Sequence, residues 1–118
     1  LYFYDAEKHE LVKLKSLQNL PDLVTEACSG QNFAGNSAVC FFWSVTPYRS
    51  EWRYSFAAHK TILLDAGHVC QNLYLAAESI GCGVCAIAAY NQEKADSLLE
   101  LDGEDEFVIY IAPVGKQK

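Results

Sequence analysis

Four apolar runs along the chain have the length and spacing of β-strands. Residues 1–5 and 11–14 flank a short polar stretch, a pattern that predicts an edge hairpin. Residues 38–45 (AVCFFWSV) form a continuous apolar run, which predicts a central strand buried on both faces. Residues 107–112 predict a second buried strand, and Pro113 is expected to end it because proline has no backbone N–H to donate.

Helical spacing dominates the rest of the chain. Residues 20–28 begin with a Pro-Asp pair suited to a first helical turn, and residues 57–80 form a long helix whose apolar positions nearly encircle its axis. Gly81 stands where a glycine commonly ends a helix. Residues 84–90 are then predicted to be extended, and Asn91 to cap a short helix that reaches residue 101.

The order of these elements predicts the fold class. Helices and strands mix without regular βαβ alternation, which indicates an α+β domain with helices packed on a mostly antiparallel sheet. A helix that is apolar on all sides is buried in a large core or in a subunit interface. Because a domain this small rarely covers such a helix alone, we expect the long helix to form the centre of a homodimer.

Composition and charge narrow the class of protein. At 118 residues the chain is one domain at most, and its net charge of −6 argues against nucleic-acid binding. No apolar run approaches the roughly 20 residues of a membrane span. Five cysteines, an odd number in mostly apolar settings, indicate reduced core thiols of a cytoplasmic protein. The chain contains no methionine and opens inside a predicted strand, so we expect residues 1–118 to be a domain whose N-terminal part is missing.

Two motifs have both a chemical and a structural interpretation. Cys82 and Cys85 form a CxxC that would suit a redox pair or half a zinc site, but they follow a helix end and no second CxxC exists. Packing is the favoured interpretation, and no metal site is expected. Asp65 and His68 share one helix face, where a structural or interface pair is favoured over acid–base catalysis because no nucleophile is set by spacing.

Two further segments have the composition of a site wall. An aromatic and basic cluster precedes the long helix, and it forms either a solvated loop or a wall for an anionic or planar group: Tyr48, Arg49, Trp52, Arg53, Tyr54. Residues 86–89 (AIAA) have no bulky side chain to shield the backbone, apart from one isoleucine. They form either a tight contact between strand and helix or a floor for a flat ring.

Several segments together resemble one protein family. Residues 65–78 (DAGHVCQNLYLAAE) and 80–87 (IGCGVCAI) are similar to the nitroreductase-like FMN flavoproteins, and within them to the SagB-type dehydrogenases, a branch that includes azoline oxidases of peptide natural-product pathways. Residues 1–11 resemble that branch's hairpin, and residues 101–103 and 113–116 resemble its C-terminal part. Four such pieces in the right order are fairly specific.

The resemblance implies a function and a cofactor site. It implies an FMN-dependent oxidoreductase, a homodimer with two flavins at its interface, that passes hydride from NAD(P)H or a small-molecule or peptide substrate through flavin N5 to an organic acceptor. The Ala88 amide would lie near N5, and Lys116 would approach the FMN phosphate as a point charge. The implied cofactor-binding residues are Cys85, Ala86, Ile87, Ala88, Ala89, Gly115 and Lys116.

This chain departs from the family pattern in two places. The family's arginine-rich phosphate motif is absent, so we expect this chain alone to bind FMN weakly. Arg53 and Tyr54 occupy the catalytic positions where azoline oxidases carry a Lys-Tyr pair, and arginine does not deprotonate as a lysine base would. A nitro- or quinone-type reductase is therefore favoured over azoline oxidation. A noncatalytic flavin-binding or dimerisation module is the alternative from another class.

Overall fold

Two antiparallel sheets and five helices make up the part of the chain that the computed structural model describes, residues 1–116. In chain order the elements are β1 (Tyr2–Asp5), β2 (Glu10–Lys13), α1 (Leu20–Ala27), α2 (Asn32–Gly35), β3 (Val39–Val45), α3 (Tyr48–Tyr54), a 3₁₀ turn (Ser55–Ala57), α4 (Ala58–Ser79), β4 (Cys82–Val84), α5 (Gln92–Leu99) and β5 (Phe107–Lys116). The α+β fold predicted from the sequence is confirmed.

The main sheet has the strand order β3-β5-β4, with every pair antiparallel. The prediction that residues 38–45 form its centre is wrong, because β3 is an edge strand and its side chains alternate between exposed and partly buried. β5 takes the centre because it is long enough to pair with β3 along most of its length and with β4 near its end. Aromatic composition alone did not distinguish an edge strand from a central one.

Pro113 lies inside β5 and does not end it, contrary to the prediction. In an antiparallel ladder the N–H and C=O of one residue point to the same neighbour. Pro113 points its carbonyl at Cys85, whose N–H donates to it at 3.2 Å, just beyond the end of β4. The N–H position of Pro113 therefore faces away from β3, so the missing N–H removes no hydrogen bond between β5 and β3. The strand continues to Lys116.

The core lies on one face of the main sheet, where α1, α2 and α5 pack. Its fully buried members include Ala27, Cys28, Val108 and Ile111. The predicted cap of α5 is confirmed, since the Asn91 side chain accepts a hydrogen bond from the Lys94 N–H at 2.9 Å. The helix ends at Leu99, two residues before the predicted end.

The long helix α4 lies on the other face and is confirmed with nearly its predicted ends. Gly81 follows it at a φ of +70°, the left-handed conformation expected of a terminal glycine. Within the described chain only Ala58, Cys70 and Ala77 of this helix are buried. Leu64 and Leu75 are 54% and 62% exposed, so the core of this chain does not cover the helix.

Two smaller elements differ from expectation. The segment read as an exposed connector contains α3, whose first turn is closed by the Ser50 and Glu51 N–H groups donating to the Pro47 carbonyl. The hairpin of β1 and β2 is confirmed, but it forms a sheet of its own and does not join the main sheet. Lys15, just after the hairpin, pairs with Glu100 beyond α5.

No helix among residues 1–116 is both long and apolar enough to cross a membrane.

Replacing Gly35 with alanine should destabilise the fold. A Cβ there would lie 2.1 Å from the Pro21 carbonyl oxygen and 2.3 Å from Thr25 Oγ1, where α2 crosses α1. We expect a loss of about 2 kcal/mol in the free energy of unfolding, the usual cost of overpacking, measured by urea denaturation. Gly67→Ala is the control, because that helical position has open space around it within the chain. A loss at Gly67 equal to that at Gly35 would contradict the explanation.

Candidate functional site

The segment that follows β4 runs along the edge of β5 that β4 leaves free. Ile87 forms a bridge with Ile111, its N–H donating to the Ile111 carbonyl at 2.7 Å. The Ala86 N–H donates at 2.9 Å to the hydroxyl of Tyr74, which lies on α4. We call residues 85–89 the edge loop.

Two amides in the edge loop are free. Within residues 1–116, neither the Ala88 nor the Ala89 N–H donates a hydrogen bond, and both residues are exposed. The Ala89 carbonyl is held, because Gln31 Nε2 donates to it at 2.9 Å and to the Cys28 carbonyl at 2.9 Å. The loop therefore presents two unshielded N–H donors on a backbone that is held on both sides.

The structure divides the edge-loop residues implied by the resemblance into two groups. The amides of Ala86 and Ile87 are bonded within the chain, and the Ile87 side chain is buried in the core. These two residues fix the loop and cannot donate to a ligand. Ala88 and Ala89 remain the available donors. Cys85 uses its own N–H toward Pro113, although its side chain is exposed.

Gly115 and Lys116 lie farther along β5, opposite β4. Gly115 pairs with Gly83 and Lys116 with Cys82, so two glycines leave the backbone bare beside a lysine. Lys116 is exposed and forms no ion pair with any residue in the described range. Gly115 stands four residues beyond Ile111, roughly 13 Å along the strand. The edge loop with its free amide donors therefore lies beside the middle of β5, and Lys116, without an ion pair in the described chain, lies at the end of that strand.

Arg53 and Tyr54 lie at the other end of the molecule. They end α3, where the guanidinium carbon of Arg53 is 5.6 Å from the centre of the Tyr54 ring. α3 packs on the beginning of α4, whereas β4 follows its end, and the 22 residues of α4 span about 33 Å. One chain therefore does not bring the predicted catalytic pair to the edge loop.

The buried thiols and the predicted helix pair are arranged for packing within the chain. All five cysteines are free, and burial raises the pKa of the Cys40 thiol to about 12, with Cys28 beside it adding to the effect. A thiol with so high a pKa is a poor nucleophile. His68 Nδ1 contacts the Leu64 carbonyl at 2.7 Å, and no ion pair between Asp65 and His68 forms within residues 1–116. A pair across a subunit interface stays a prediction. Among the residues that the structure describes, no three His, Cys, Asp or Glu side chains are grouped to hold a metal ion.

A cavity of about 580 Å³ lies near the start of β5, away from the edge loop. Of the aromatic and basic cluster only Tyr48 lines it, and neither the implied catalytic residues nor the implied cofactor-binding residues do. Its walls are Val45, Pro47, Tyr48, Glu51, His59, Ile62, Leu63, Glu104, Asp105, Phe107 and Ile109. Because its walls carry three carboxylates and neither a lysine nor an arginine, it does not suit a phosphorylated cofactor, and the edge loop with Lys116 is the better site.

Sequence reasoning missed two residues of this site. Tyr74 and Gln31 hold the edge loop, but each does so across a long sequence separation. No local pattern marks a tyrosine on an amphipathic helix, or a glutamine in a turn, as the partner of a distant backbone amide. Only the packing of α4 and of the end of α1 against the loop makes these contacts visible.

Fold and site together define a two-sheet α+β domain with free backbone donors on an edge loop and a nearby lysine. Residues 3–116 match the sequence model of the Nitroreductase family, and the chain belongs to that family.

Individual relatives agree with this assignment. A candidate nitroreductase of Methanocaldococcus jannaschii, MJ1384, is 24% identical over 117 residues, which cover 99% of this chain and 57% of that protein. The chain thus spans little more than half of that curated relative. The crystal structure of a candidate nitroreductase from Anabaena variabilis matches with a TM-score of 0.88 and 26% identity, over 99% of this chain and 24% of the other.

A third likeness concerns the fold alone. A chain of the E. coli microcin synthetase McbBCD complex, solved with truncated pro-MccB17 bound, matches with a TM-score of 0.87 at 17% identity. The match covers 99% of this chain and 44% of that chain.

Proposed function

We propose that this protein is an FMN-dependent oxidoreductase that transfers hydride from NAD(P)H or a substrate to an organic acceptor. The observation that carries the proposal is the pair of free amides at Ala88 and Ala89 on a held loop of small residues, in a chain of the nitroreductase family. Bound FMN supplies a flavin ring that accepts and returns hydride at N5.

The residues of this chain fit the cofactor. Cys85, Ala88 and Ala89 leave the backbone open on the exposed side of the loop, so a planar ring can lie against it. The Ala88 amide is the donor proposed for N5. The exposed Lys116 and the bare backbone at Gly115 would hold the phosphate, because an unpaired ammonium binds a phosphate as a point charge. A fixed amide donor favours a developing negative charge on the ring, since it does not have to reorganise.

We further propose that the active protein is a homodimer. A folded monomeric protein of 13.1 kDa exposes roughly 6,400 Å², whereas this chain exposes 8294 Å². The excess is more than the roughly 800 Å² that each partner buries in a standard interface. The outer face of α4, with Leu64 and Leu75, is the surface proposed for that contact.

Dimerisation also accounts for the separation of the predicted site residues. Two copies of α4 that pack antiparallel about a two-fold axis would place the start of one helix beside the end of the other. The Arg53–Tyr54 pair of a second copy would then approach the edge loop of the first. Each site would need both chains, with one supplying the cofactor floor and the other supplying the wall.

We infer the substrate class from the side chain at position 53, which is an arginine. This position does not supply a base, because the guanidinium keeps its proton at any pH that proteins tolerate. We therefore propose reduction of a nitro or quinone acceptor, with Arg53 binding the acceptor's oxygen atoms and Tyr54 as a hydroxyl donor. Membership of the SagB-type branch rests on the sequence resemblance, and azoline oxidation is the alternative that the same assays would detect.

The proposal is tested by equilibrium dialysis of the purified protein against FMN, because weak binding is expected and removal of free flavin would dissociate the complex. The visible spectrum at saturating FMN is then recorded before and after NADPH or NADH. We expect a bound flavin band that bleaches under anaerobic conditions and returns when a quinone is added. A protein that binds no flavin at saturating FMN contradicts the proposed function. Bound flavin that no reductant and acceptor turn over would indicate a noncatalytic flavin-binding module.

Replacing Lys116 with alanine should weaken binding of FMN but not of riboflavin, which has no phosphate. We expect the FMN dissociation constant to rise about tenfold, the loss of one charged contact, measured by quenching of flavin fluorescence. Lys13→Ala is the control, since that lysine is exposed on the hairpin. Equal losses for FMN and riboflavin would show that Lys116 does not contact the phosphate.

A further inference from the structure

We propose that Tyr74 and Gln31 are positioning residues that fix the edge loop so that the Ala88 amide stays free and immobile for the flavin ring. Neither residue belongs to the cofactor contacts proposed above. The inference rests on the proposed function for its purpose, but the ordering of the loop can be measured without any flavin.

Tyr74 holds the beginning of the loop. Its hydroxyl accepts the Ala86 N–H at 2.9 Å. No strand partner takes this N–H, because Cys85 and Ile87 on either side donate to β5, and alternate residues of an extended segment point their N–H groups in opposite directions. The neighbouring amide of Ile87 then enters its bridge with Ile111. Without the tyrosine hydroxyl, the Ala86 amide has only water to bind, and the chain between Val84 and Ile87 is held less tightly.

Gln31 holds the end of the loop. Both N–H groups of its amide are used, one for the Ala89 carbonyl and one for the Cys28 carbonyl at the end of α1. A second contact follows at once, since the Asn91 N–H donates to the Ala27 carbonyl at 2.8 Å. Two hydrogen bonds, one from Gln31 and one to Ala27, therefore hold the segment after Ala88 against the end of α1.

The consequence is a free donor between fixed neighbours. Ala88 has bonded residues on both sides, and its own N–H has no partner within the described chain. A donor held in place before the ligand arrives does not have to be ordered when the ligand binds. Tyr74 lies on α4, the helix proposed for the dimer interface, so the same contact links that helix to the cofactor loop.

The test uses two conservative variants and two matched controls. Tyr74→Phe removes only the acceptor hydroxyl, and Gln31→Glu replaces the donating amide with a carboxylate of the same shape. Tyr4→Phe and Gln18→Glu are the controls, since Tyr4 bonds only within the hairpin and Gln18 is exposed away from the loop. Backbone ¹⁵N order parameters of the flavin-free protein are measured together with FMN and riboflavin affinities and the melting temperature.

We expect the order parameter of Ala88 to be about 0.85 in the unaltered protein and to fall below about 0.6 in either loop variant. Both variants should bind FMN and riboflavin about tenfold more weakly, to the same extent for each. The melting temperature of Tyr74→Phe should fall by only about 4 °C, the loss of one hydrogen bond, and that of Gln31→Glu by more, because its carboxylate faces the Cys28 and Ala89 carbonyls. Unchanged order at Ala88, or unchanged riboflavin affinity where the unaltered protein binds riboflavin, overturns the inference. If the unaltered protein binds no flavin while Ala88 loses order in the variants, the proposed function fails and the positioning role stands.

Discussion

Replacing Leu64 with glutamate should convert the protein to a monomer that does not retain flavin. Leu64 and Leu75 lie about three turns apart on α4, on the side opposite Cys70 and Ala77, which face the sheet. A two-fold interface contains each residue twice, and about half of each Leu64 side chain is left to bury, so losing that burial removes about 1.5–3 kcal/mol. This corresponds to a rise of roughly 10–150-fold in the dimer dissociation constant, and burying two unpaired glutamates adds to it. The constant is measured by analytical ultracentrifugation over a concentration series.

Leu23→Glu is the matched control for this prediction, since Leu23 is an exposed leucine on α1 rather than on α4. That variant should remain dimeric and bind flavin normally. Because Leu64 is more than half exposed in the single chain, the circular dichroism spectrum of Leu64→Glu should stay that of a folded protein. A dimer of unchanged affinity would place the interface elsewhere and remove the explanation for the exposed helix.

Replacing Asp96 with alanine should cost about 3 kcal/mol in the free energy of unfolding. Asp96 is 4% exposed, and its Oδ1 accepts the Val108 N–H at 2.7 Å, joining α5 to the central strand. Its carboxylate also accepts from Gln92 Nε2 at 3.0 and 3.1 Å. Alanine leaves the buried Val108 amide without an acceptor, which adds a desolvation cost to the lost charged hydrogen bonds. For a domain of this size the melting temperature should fall by roughly 10 °C.

Asp96→Asn separates the contributions, because asparagine keeps an oxygen for the Val108 amide but loses the charge and the second oxygen that accepts from Gln92 Nε2. We expect it to lose about 1 kcal/mol, well under the alanine variant. The two variants are compared by urea denaturation with a common slope. Equal losses would mean that the hydrogen bond to Val108 contributes nothing, and that the charge and the contact with Gln92 stabilise this junction.

The sequence predicted the elements of the fold better than their positions. Apolar periodicity marked α4 within one residue at each end, and the glycine and asparagine signals at Gly81 and Asn91 were correct. It did not place β3 at the edge or carry β5 through Pro113, because both depend on which strand pairs with which. Strand pairing is a long-range property, and residues 107–112 contain no signal for it.

The sequence indicated the open backbone of the candidate site but not the contacts that hold this backbone in place. Small residues at positions 86–89 indicated an open backbone, yet only the structure shows that two of the four amides are already bonded. The resemblance named Arg53 and Tyr54 beside the flavin, whereas a single chain holds them at the far end of α4. The sequence does not show this separation, because it depends on how the chain folds. In the proposed dimer, the second copy would bring its own Arg53 and Tyr54 to the edge loop of the first.

Two copies of this chain are proposed to form each FMN site together. Sedimentation velocity followed at the visible absorbance of flavin tests this directly, with FMN supplied in excess. We predict that flavin sediments with a species of twice the protomer mass, at two flavins per dimer. Flavin that sediments with a monomer, or that never sediments with the protein at all, would contradict a shared site.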